Sequence, residues 1–245
     1  MITLNCDIGE RGPDHPIDNE LMRHIQVANL ACGGHAGDAS SVRAFLDLAA
    51  RHDVDIAAHL SYPDREHFGR KSLDISVTDL FDSLNEQIAL LPGITCVKFH
   101  GALYNDAVVD TDLAASLAGW LVSKKMARII TFPDSELARE CATTRITVIN
   151  EVFAERRYAY DTGKKRLTLV SRTKPYASIT AVDEAVAHTR GMVETGRVSA
   201  VISDDGGTLV RQEVPIKADT VCIHSDSAIA LELVRALADL RQSTG

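Results

Sequence analysis

Seven short apolar runs recur along this chain, at 2–6, 26–30, 54–59, 95–99, 127–132, 146–151 and 219–223, and amphipathic helical patterns fill the spaces between them. Several of these runs lack polar alternation, as strands buried on both faces do. Strands that alternate with helices pair in parallel, because each crossover helix returns the chain to the same end of the sheet. The rhythm predicts an α/β fold, a seven-stranded parallel β/α barrel, closed or slightly irregular, with residues 1–245 as one domain. A doubly wound open sheet is the alternative. Its nucleotide-binding forms often carry a Gly-rich turn after the first strand, and Asp7-Ile8-Gly9-Glu10 is not that turn.

Helix signals sit where the rhythm needs them. Ser76 with Asp79 makes a capping-box-like start, and Val77, Leu80, Phe81, Leu84, Ile88 and Leu91 follow at helical spacing. Asp38 reads as the cap of a helix over 39–52, and another helix spans 111–125. Thr180 with Asp183 begins a helix that Gly196 ends, and a final helix over 226–241 begins at an Asp. Two segments break the pattern. Residues 152–178 are long, basic and rich in Tyr and Arg, and residues 198–214 read as a hairpin around the turn Asp204-Asp205-Gly206-Gly207.

Four predicted strands end in ionisable clusters: Asp7 and Glu10, then Asn29 followed by His35 and Asp38, then Lys98, His100 and Asn105, and finally His224 and Asp226. In a β/α barrel all such ends open on one face, so these groups converge on one pocket and point to an enzyme. Nine histidines divide on this criterion: His35, His59, His100 and His224 follow apolar strands, whereas His15, His24, His52, His67 and His188 lie in helical or loop contexts and read as surface residues.

Lys98 and His100 are two apart on an extended segment and project to the same side, an oxyanion-holding cation beside a proton carrier. Asp7 and Glu10 supply a base and an orienting carboxylate, or two metal ligands, although Glu10 equally suits a turn cap. Asn29 and Asn105 offer a donor and an acceptor each to an amide or carboxylate. Glu151 ends the sixth strand, with Arg156, Arg157 and Arg172 supplying positive charge nearby.

The net charge of −8, without a basic face, argues against nucleic acid, while local Lys and Arg still suit a small anion. No apolar run reaches membrane-span length, and the first residues lack a secretory signal. Five cysteines without a Cys-x-x-Cys pair read as reduced, packed thiols of a cytoplasmic protein, with a nucleophilic Cys6 or Cys32 as the lesser alternative. Neither phosphate-loop motif occurs, and no tight ligand spacing demands a metal, so a divalent ion is left open.

The ordered series resembles the LamB/YcsF family, the A subunits of bacterial ATP-dependent 5-oxoprolinase. Its motifs run from Asn5-x-Asp7-x-Gly9-Glu10 through Asn29-x-Ala31-Cys32-Gly33, His35-Ala36-Gly37-Asp38, Ala58-His59, Tyr62-Pro63-Asp64 and Phe68-Gly69-Arg70. Lys98-x-His100-Gly101-Ala102-Leu103-Tyr104-Asn105, Glu151-Val152-Phe153-Ala154-x-Arg156-x-Tyr158, Ser171-Arg172 and Cys222-x-His224-x-Asp226 complete it. Thr3, Gly34, Leu60, Lys71, Phe99, Glu155 and Ser225 depart from the common pattern, and Gly34 and Ser225 are expected to reshape the pocket.

The resemblance implies a barrel of the glycoside hydrolase and deacetylase kind. It also implies opening of the 5-oxo-L-proline lactam to L-glutamate with ATP as co-substrate, in company with two partner subunits. Residue type and position then assign Asp7, His35, His59, Lys98, His100 and Glu151 to catalysis. Glu10, Asn29, Asp64, Arg70, Asn105, Arg156, Arg172, His224 and Asp226 are assigned to substrate binding. The rival readings are a metal-dependent deacetylase-like hydrolase and a non-catalytic ligand-binding subunit; homo-oligomerisation is left open.

Overall fold

The computed structural model describes residues 2–203 and 209–243. In chain order the first half runs β1 (Thr3–Ile8), α1 (Pro16–Leu21), β2 (Val27–Ala31), α2 (Ala39–His52), β3 (Asp55–Leu60), α3 (Val77–Ala89), β4 (Cys96–Phe99), α4 (Gly101–Val109) and α5 (Thr111–Ser123). It continues β5 (Arg128–Thr131), α6 (Glu136–Ala142), β6 (Thr147–Phe153), β7 (Tyr158–Asp161), β8 (Arg166–Leu169), α7 (Val182–Thr195), β9 (Arg197–Ser203), β10 (Leu209–Pro215), β11 (Thr220–Ile223) and α8 (Ala230–Ser243).

Seven of these strands close a parallel barrel in the order β1-β11-β6-β5-β4-β3-β2, so every apolar run predicted as a strand is one. The four remaining strands form a small sheet, β10-β9-β7-β8, beside it. The basic segment that interrupts the sequence rhythm is therefore the antiparallel β7–β8 pair, and the predicted hairpin is β9–β10. The turn expected at 204–207 lies outside the described residues.

Alternate residues of each barrel strand face opposite ways. Leu4, Cys6, Ile8, Leu30, Leu60, Val97, Ile129, Val152 and Val221 belong to the large apolar cluster shared with the helices, whose inner stripe includes Val42, Phe45 and Ala49 of α2. The opposite set points into the barrel. Ala57, Cys96 and Ile130, with Val27 and Ile149, plug its lower end as a separate small apolar cluster. Above that plug the interior is polar, which is unusual for a β/α barrel and sets up the site.

Local signals explain the helix starts. Asp38 accepts from the backbone N–H of Ser40 and Ser41, and Ser41 returns a bond to Asp38, a complete capping box. Ser76 caps α3 through Asp79 N–H, and Gly196 ends α7 in the left-handed region at φ 63°. Two starts differ from expectation. The α7 cap is Ala181 without a side-chain bond, and α8 begins at Ala230, four residues after Asp226, whose carboxylate pairs with Arg70. All five cysteines are free and buried, and burial pushes the thiols of Cys6 and Cys32 upward, Cys32 to about 12, so neither is a ready thiolate nucleophile. No helix among the described residues is long and apolar enough to cross a membrane.

Candidate active site

Register sets polar groups of neighbouring strands side by side. Asp7 of β1 lies beside Asn29 of β2, His59 of β3 beside Lys98 of β4, and Glu151 of β6 beside Thr220 of β11. Lys98 is only 2% exposed. Its Nζ lies 2.9 Å from Asp7 Oδ1, 2.8 Å from Glu151 Oε1 and 3.2 Å from Cys222 Sγ. Burial alone would strip the ammonium of its proton, but Asp7, Cys222 and Glu151 reverse the effect and hold Lys98 well above its ordinary range. The same balance acts on Asp7: burial opposes ionisation, while the contacts with His59 and Lys98 keep its carboxyl well below the usual carboxylate range. Asn29 Nδ2 donates to Asp7 Oδ1 at 2.9 Å and to Asn5 Oδ1 at 2.7 Å. Asp7 Oδ2 is left facing His59 Nε2 at 3.3 Å.

A histidine cluster sits beside this ion network. His100 Nδ1 is 2.9 Å from His59 Nε2, and Glu10 Oε1 is 2.9 Å from His35 Nε2 and 3.4 Å from His100 Nδ1. His59 Nδ1 reaches the Lys98 carbonyl at 3.2 Å, and His100 Nε2 reaches the Phe68 carbonyl at 3.0 Å. The His35 and His100 rings stack at 3.6 Å, nearly parallel. Burial first, then neighbouring imidazoles, lowers His35 and His100 well below the normal imidazole range, so both are neutral near pH 7. Burial and the Asp7 charge raise Glu10 to about 7.

Two glycines let the 64–70 loop close over this cluster. Gly101 has φ 57°, and a Cβ there would stand 2.4 Å from the Gly69 carbonyl oxygen. Gly69 has φ 63°, and a Cβ there would meet His35 Cβ at 2.9 Å. Asp64 organises the loop by accepting from the N–H and Nδ1 of His67, and its carbonyl accepts from Gly69 N–H. The Phe68 carbonyl is thereby aimed at His100.

Above the cluster opens a cavity of about 500 Å³, within the range for a small-molecule site. Asp7, Glu10, His59, Lys98 and His100 form its floor, Phe132 and Phe153 part of its wall, and Thr168 to Thr173 from the β8 end another part. Arg156 lines it while 5% exposed; one guanidinium nitrogen donates to the Val170 carbonyl at 2.7 Å and Nε has no partner. Arg157 pairs with Glu184 at 2.7 Å, whereas no carboxylate pairs with Arg156 or Arg172 among the described residues, and burial together with Arg172 lowers Arg156 to about 10. At the rim, Arg70 pairs with Asp226 at 2.9 Å. His224 lines the cavity with its Nδ1 2.6 Å from Glu155 Oε1 and its ring stacked on Phe153.

The match to known proteins is full-length. The family model described as LamB/YcsF covers residues 2–245. The chain belongs to the LamB/YcsF family. It is 38% identical to the A subunit of 5-oxoprolinase from Bacillus subtilis (strain 168), over all of this chain and 95% of that protein. Against the corresponding 5-oxoprolinase component of Bacillus mycoides (strain KBAB4) the identity is 34%, over 96% and 92%. The crystal structure of a lactam utilization protein from Thermus thermophilus superposes with a TM-score of 0.83 at 29% identity, covering 99% of this chain and 97% of that one.

Within this family member, most residues singled out from the sequence share the cavity: Asp7, Glu10, His59, Arg70, Lys98, His100, Asn105, Arg156, Arg172, His224 and Asp226. Four do not line it. Glu151 lies beneath Lys98 as its counter-ion, Asn29 holds Asp7 from below, His35 backs His100, and Asp64 shapes the covering loop. The Glu10 carboxylate, which also suited a turn cap, is instead turned to His35, His59 and His100. Gly34 is away from the cavity, packed so closely on Ser61 and Gln87 that a Cβ would stand 2.3 Å from Ser61 Oγ, whereas Ser225 does line the cavity. His188 is not a plain surface residue: its ring is largely buried against the Arg156 carbonyl.

Sequence reasoning assigned no role to Asn5, Tyr104, Glu155 or Cys222. Two of these had a usable signal: Asn5 and Cys222 stand two residues before Asp7 and His224, on the same strand face.

Proposed function

We propose that this chain is the A component of a 5-oxoprolinase that opens the lactam ring of 5-oxo-L-proline to L-glutamate, driven by ATP hydrolysis and completed by two partner subunits in the cytoplasm. The names of the relatives support the substrate class. One observation carries the reading: a cavity of small-molecule size joins the Arg156 guanidinium, which has no carboxylate partner among the described residues, to the Asp7–Lys98–His59–His100 set. The substrate has matching handles, a carboxylate at one end and a ring amide at the other.

An unstrained lactam resists water because amide resonance weakens its carbonyl as an electrophile. Transfer of the ATP γ-phosphoryl group to the carbonyl oxygen removes that resonance. Water then adds to the ring carbon and gives up a proton, the C–N bond breaks and the nitrogen gains a proton. A second water hydrolyses the resulting acyl phosphate, so the products are glutamate, ADP and phosphate. In this chain Asp7, whose Oδ2 faces His59 Nε2 at the cavity floor, or neutral His100 takes the proton from water, and Lys98 offsets developing negative charge. Arg156 and Arg172 hold the substrate carboxylate.

The test is reconstitution with the two partner subunits, followed by assay of glutamate and ADP from 5-oxo-L-proline. Equal amounts of both products are expected. An assembled complex that makes no glutamate while related lactams turn over overturns the substrate assignment, and glutamate formed without ATP overturns the coupling.

A further inference from the structure

We infer that Glu10, His59 and His100 form a site for one divalent transition-metal ion of the zinc class at the cavity floor, with a coordination position open to the cavity. A carbonyl oxygen only accepts hydrogen bonds, so the contact from His59 Nδ1 to the Lys98 carbonyl places that ring's proton on Nδ1. The contact from His100 Nε2 to the Phe68 carbonyl likewise places its proton on Nε2. With both rings neutral, the remaining nitrogens, His59 Nε2 and His100 Nδ1, present lone pairs to each other at 2.9 Å in a buried site. Facing lone pairs repel unless a proton is shared between them or a metal ion lies beside both.

The third donor completes a triangle. Glu10 Oε1 is 3.4 Å from His100 Nδ1 and 3.9 Å from His59 Nε2. The three separations straddle the edge of about 3.3 Å that follows from tetrahedral bonds of about 2.0–2.1 Å to zinc. All three residues line the cavity, so a fourth position faces the space where a substrate enters. Three protein ligands and one open position distinguish a catalytic from a structural zinc site.

The surrounding contacts are those that hold metal ligands in place. Each imidazole gives its other N–H to a backbone carbonyl, and His35 Nε2 lies 2.9 Å from the Glu10 carboxylate. His35 is itself a poor ligand: its ring lies parallel to His100 at 3.6 Å, so an ion in the plane of one ring is out of the plane of the other. A second cluster, Asp7 with Cys222 and His224, also has ligand spacing. There Lys98 Nζ already touches both Asp7 and Cys222, so the ammonium is that cluster's cation.

Two imidazoles and a carboxylate suit zinc or cobalt better than magnesium or calcium, which prefer oxygen donors. An ion here would polarise a carbonyl or acidify a water within reach of Asp7. Metal binding is independent of the lactam reading and is measured without substrate.

The experiment uses the full chain, stripped with a chelator and dialysed, then titrated with Zn²⁺ by calorimetry and with Co²⁺ by visible absorption. One equivalent should bind, with the intense d–d bands of a four- or five-coordinate ion. His59→Ala, His100→Ala and Glu10→Gln should each weaken binding by more than about 100-fold, beyond the effect of a supporting contact. His35→Ala should cost about 10–100-fold, and Cys222→Ser should leave binding unchanged. If a ligand variant fails to fold, X-ray absorption on the Zn²⁺-loaded native chain decides: nitrogen and oxygen scatterers are expected, and a sulfur scatterer overturns the site. So does an absence of binding, or equal binding by the ligand variants. Failure to bind Zn²⁺ by a chain whose assembled complex forms glutamate would sink this inference alone; metal bound without glutamate formation would sink only the lactam reading.

Discussion

Lys98 Nζ lies 2.9 Å from Asp7 Oδ1 inside the barrel, and the same ammonium lies 2.8 Å from Glu151. One cation thus holds two carboxylates that are 6% and 0% exposed. Removing it leaves buried negative charges without a partner, which costs about 3–5 kcal/mol. Lys98→Met should lower unfolding free energy by that amount in urea titrations at neutral pH. Adding Glu151→Gln to Lys98→Met should recover part of the loss. A Lys98→Met protein as stable as the parent would show that the interior charges are not coupled.

Arg156 presents the reverse case. It is a buried cation with no carboxylate partner among the described residues, so it adds little to stability and is placed to meet an anion. Arg156→Met should change unfolding free energy by less than about 1 kcal/mol. It should weaken binding of 5-oxo-L-proline about tenfold to a hundredfold, the worth of hydrogen bonds to a charged group. Calorimetric titration of the assembled complex measures the second effect. Unchanged affinity would remove Arg156 from the carboxylate site.

The glycine after His100 is a steric requirement. Gly101→Ala would set a Cβ 2.4 Å from the Gly69 carbonyl at a positive φ, and should cost at least about 2 kcal/mol while displacing the loop over His100. Gly93→Ala is the matched comparison, because Gly93 also has positive φ but nothing within 4 Å of the added methyl. It should cost only about 1 kcal/mol. Equal thermal shifts for the two variants would refute the close approach.

Acid should destabilise the fold partly through His188. Burial lowers its pKa to about 4, so the folded chain resists a proton that the unfolded chain accepts at about 6.5. A depressed histidine contributes stability that is fully present above the unfolded value and is lost as pH falls from about 6.5 to about 4. The ceiling on that loss is about 3 kcal/mol. His188→Gln should flatten the stability curve across this window, and a curve parallel to that of the parent would contradict the assignment.

The number of barrel strands and the placement of α2, α3 and α5 were legible because they rest on local features: short apolar runs, Asp38 and Ser76 as caps, and period-two alternation. Alternation also correctly paired Lys98 with His100 on one side. It does not report depth along the barrel axis. Depth follows from the stagger of neighbouring strands, a property of the closed sheet. Glu151 thus reads as a mouth residue from its strand-end position but is the counter-ion beneath Lys98, while Glu155, four residues later, takes His224. His35 and Asp64 likewise carry the right chemistry but stand behind the cavity, where the 64–70 loop folds over His100.

By itself, then, the chain's pattern of apolar runs, caps and polar strand ends determined a parallel β/α barrel with its ionisable groups gathered at one end. Only tertiary structure decided which groups face a ligand and which neutralise each other. Ring closure sets the height of each strand, and a shift of one residue in register moves a carboxylate from one barrel face to the other. Proton positions were also beyond the sequence, because they depend on backbone carbonyls at Lys98 and Phe68 that only the folded chain brings to the His59 and His100 rings.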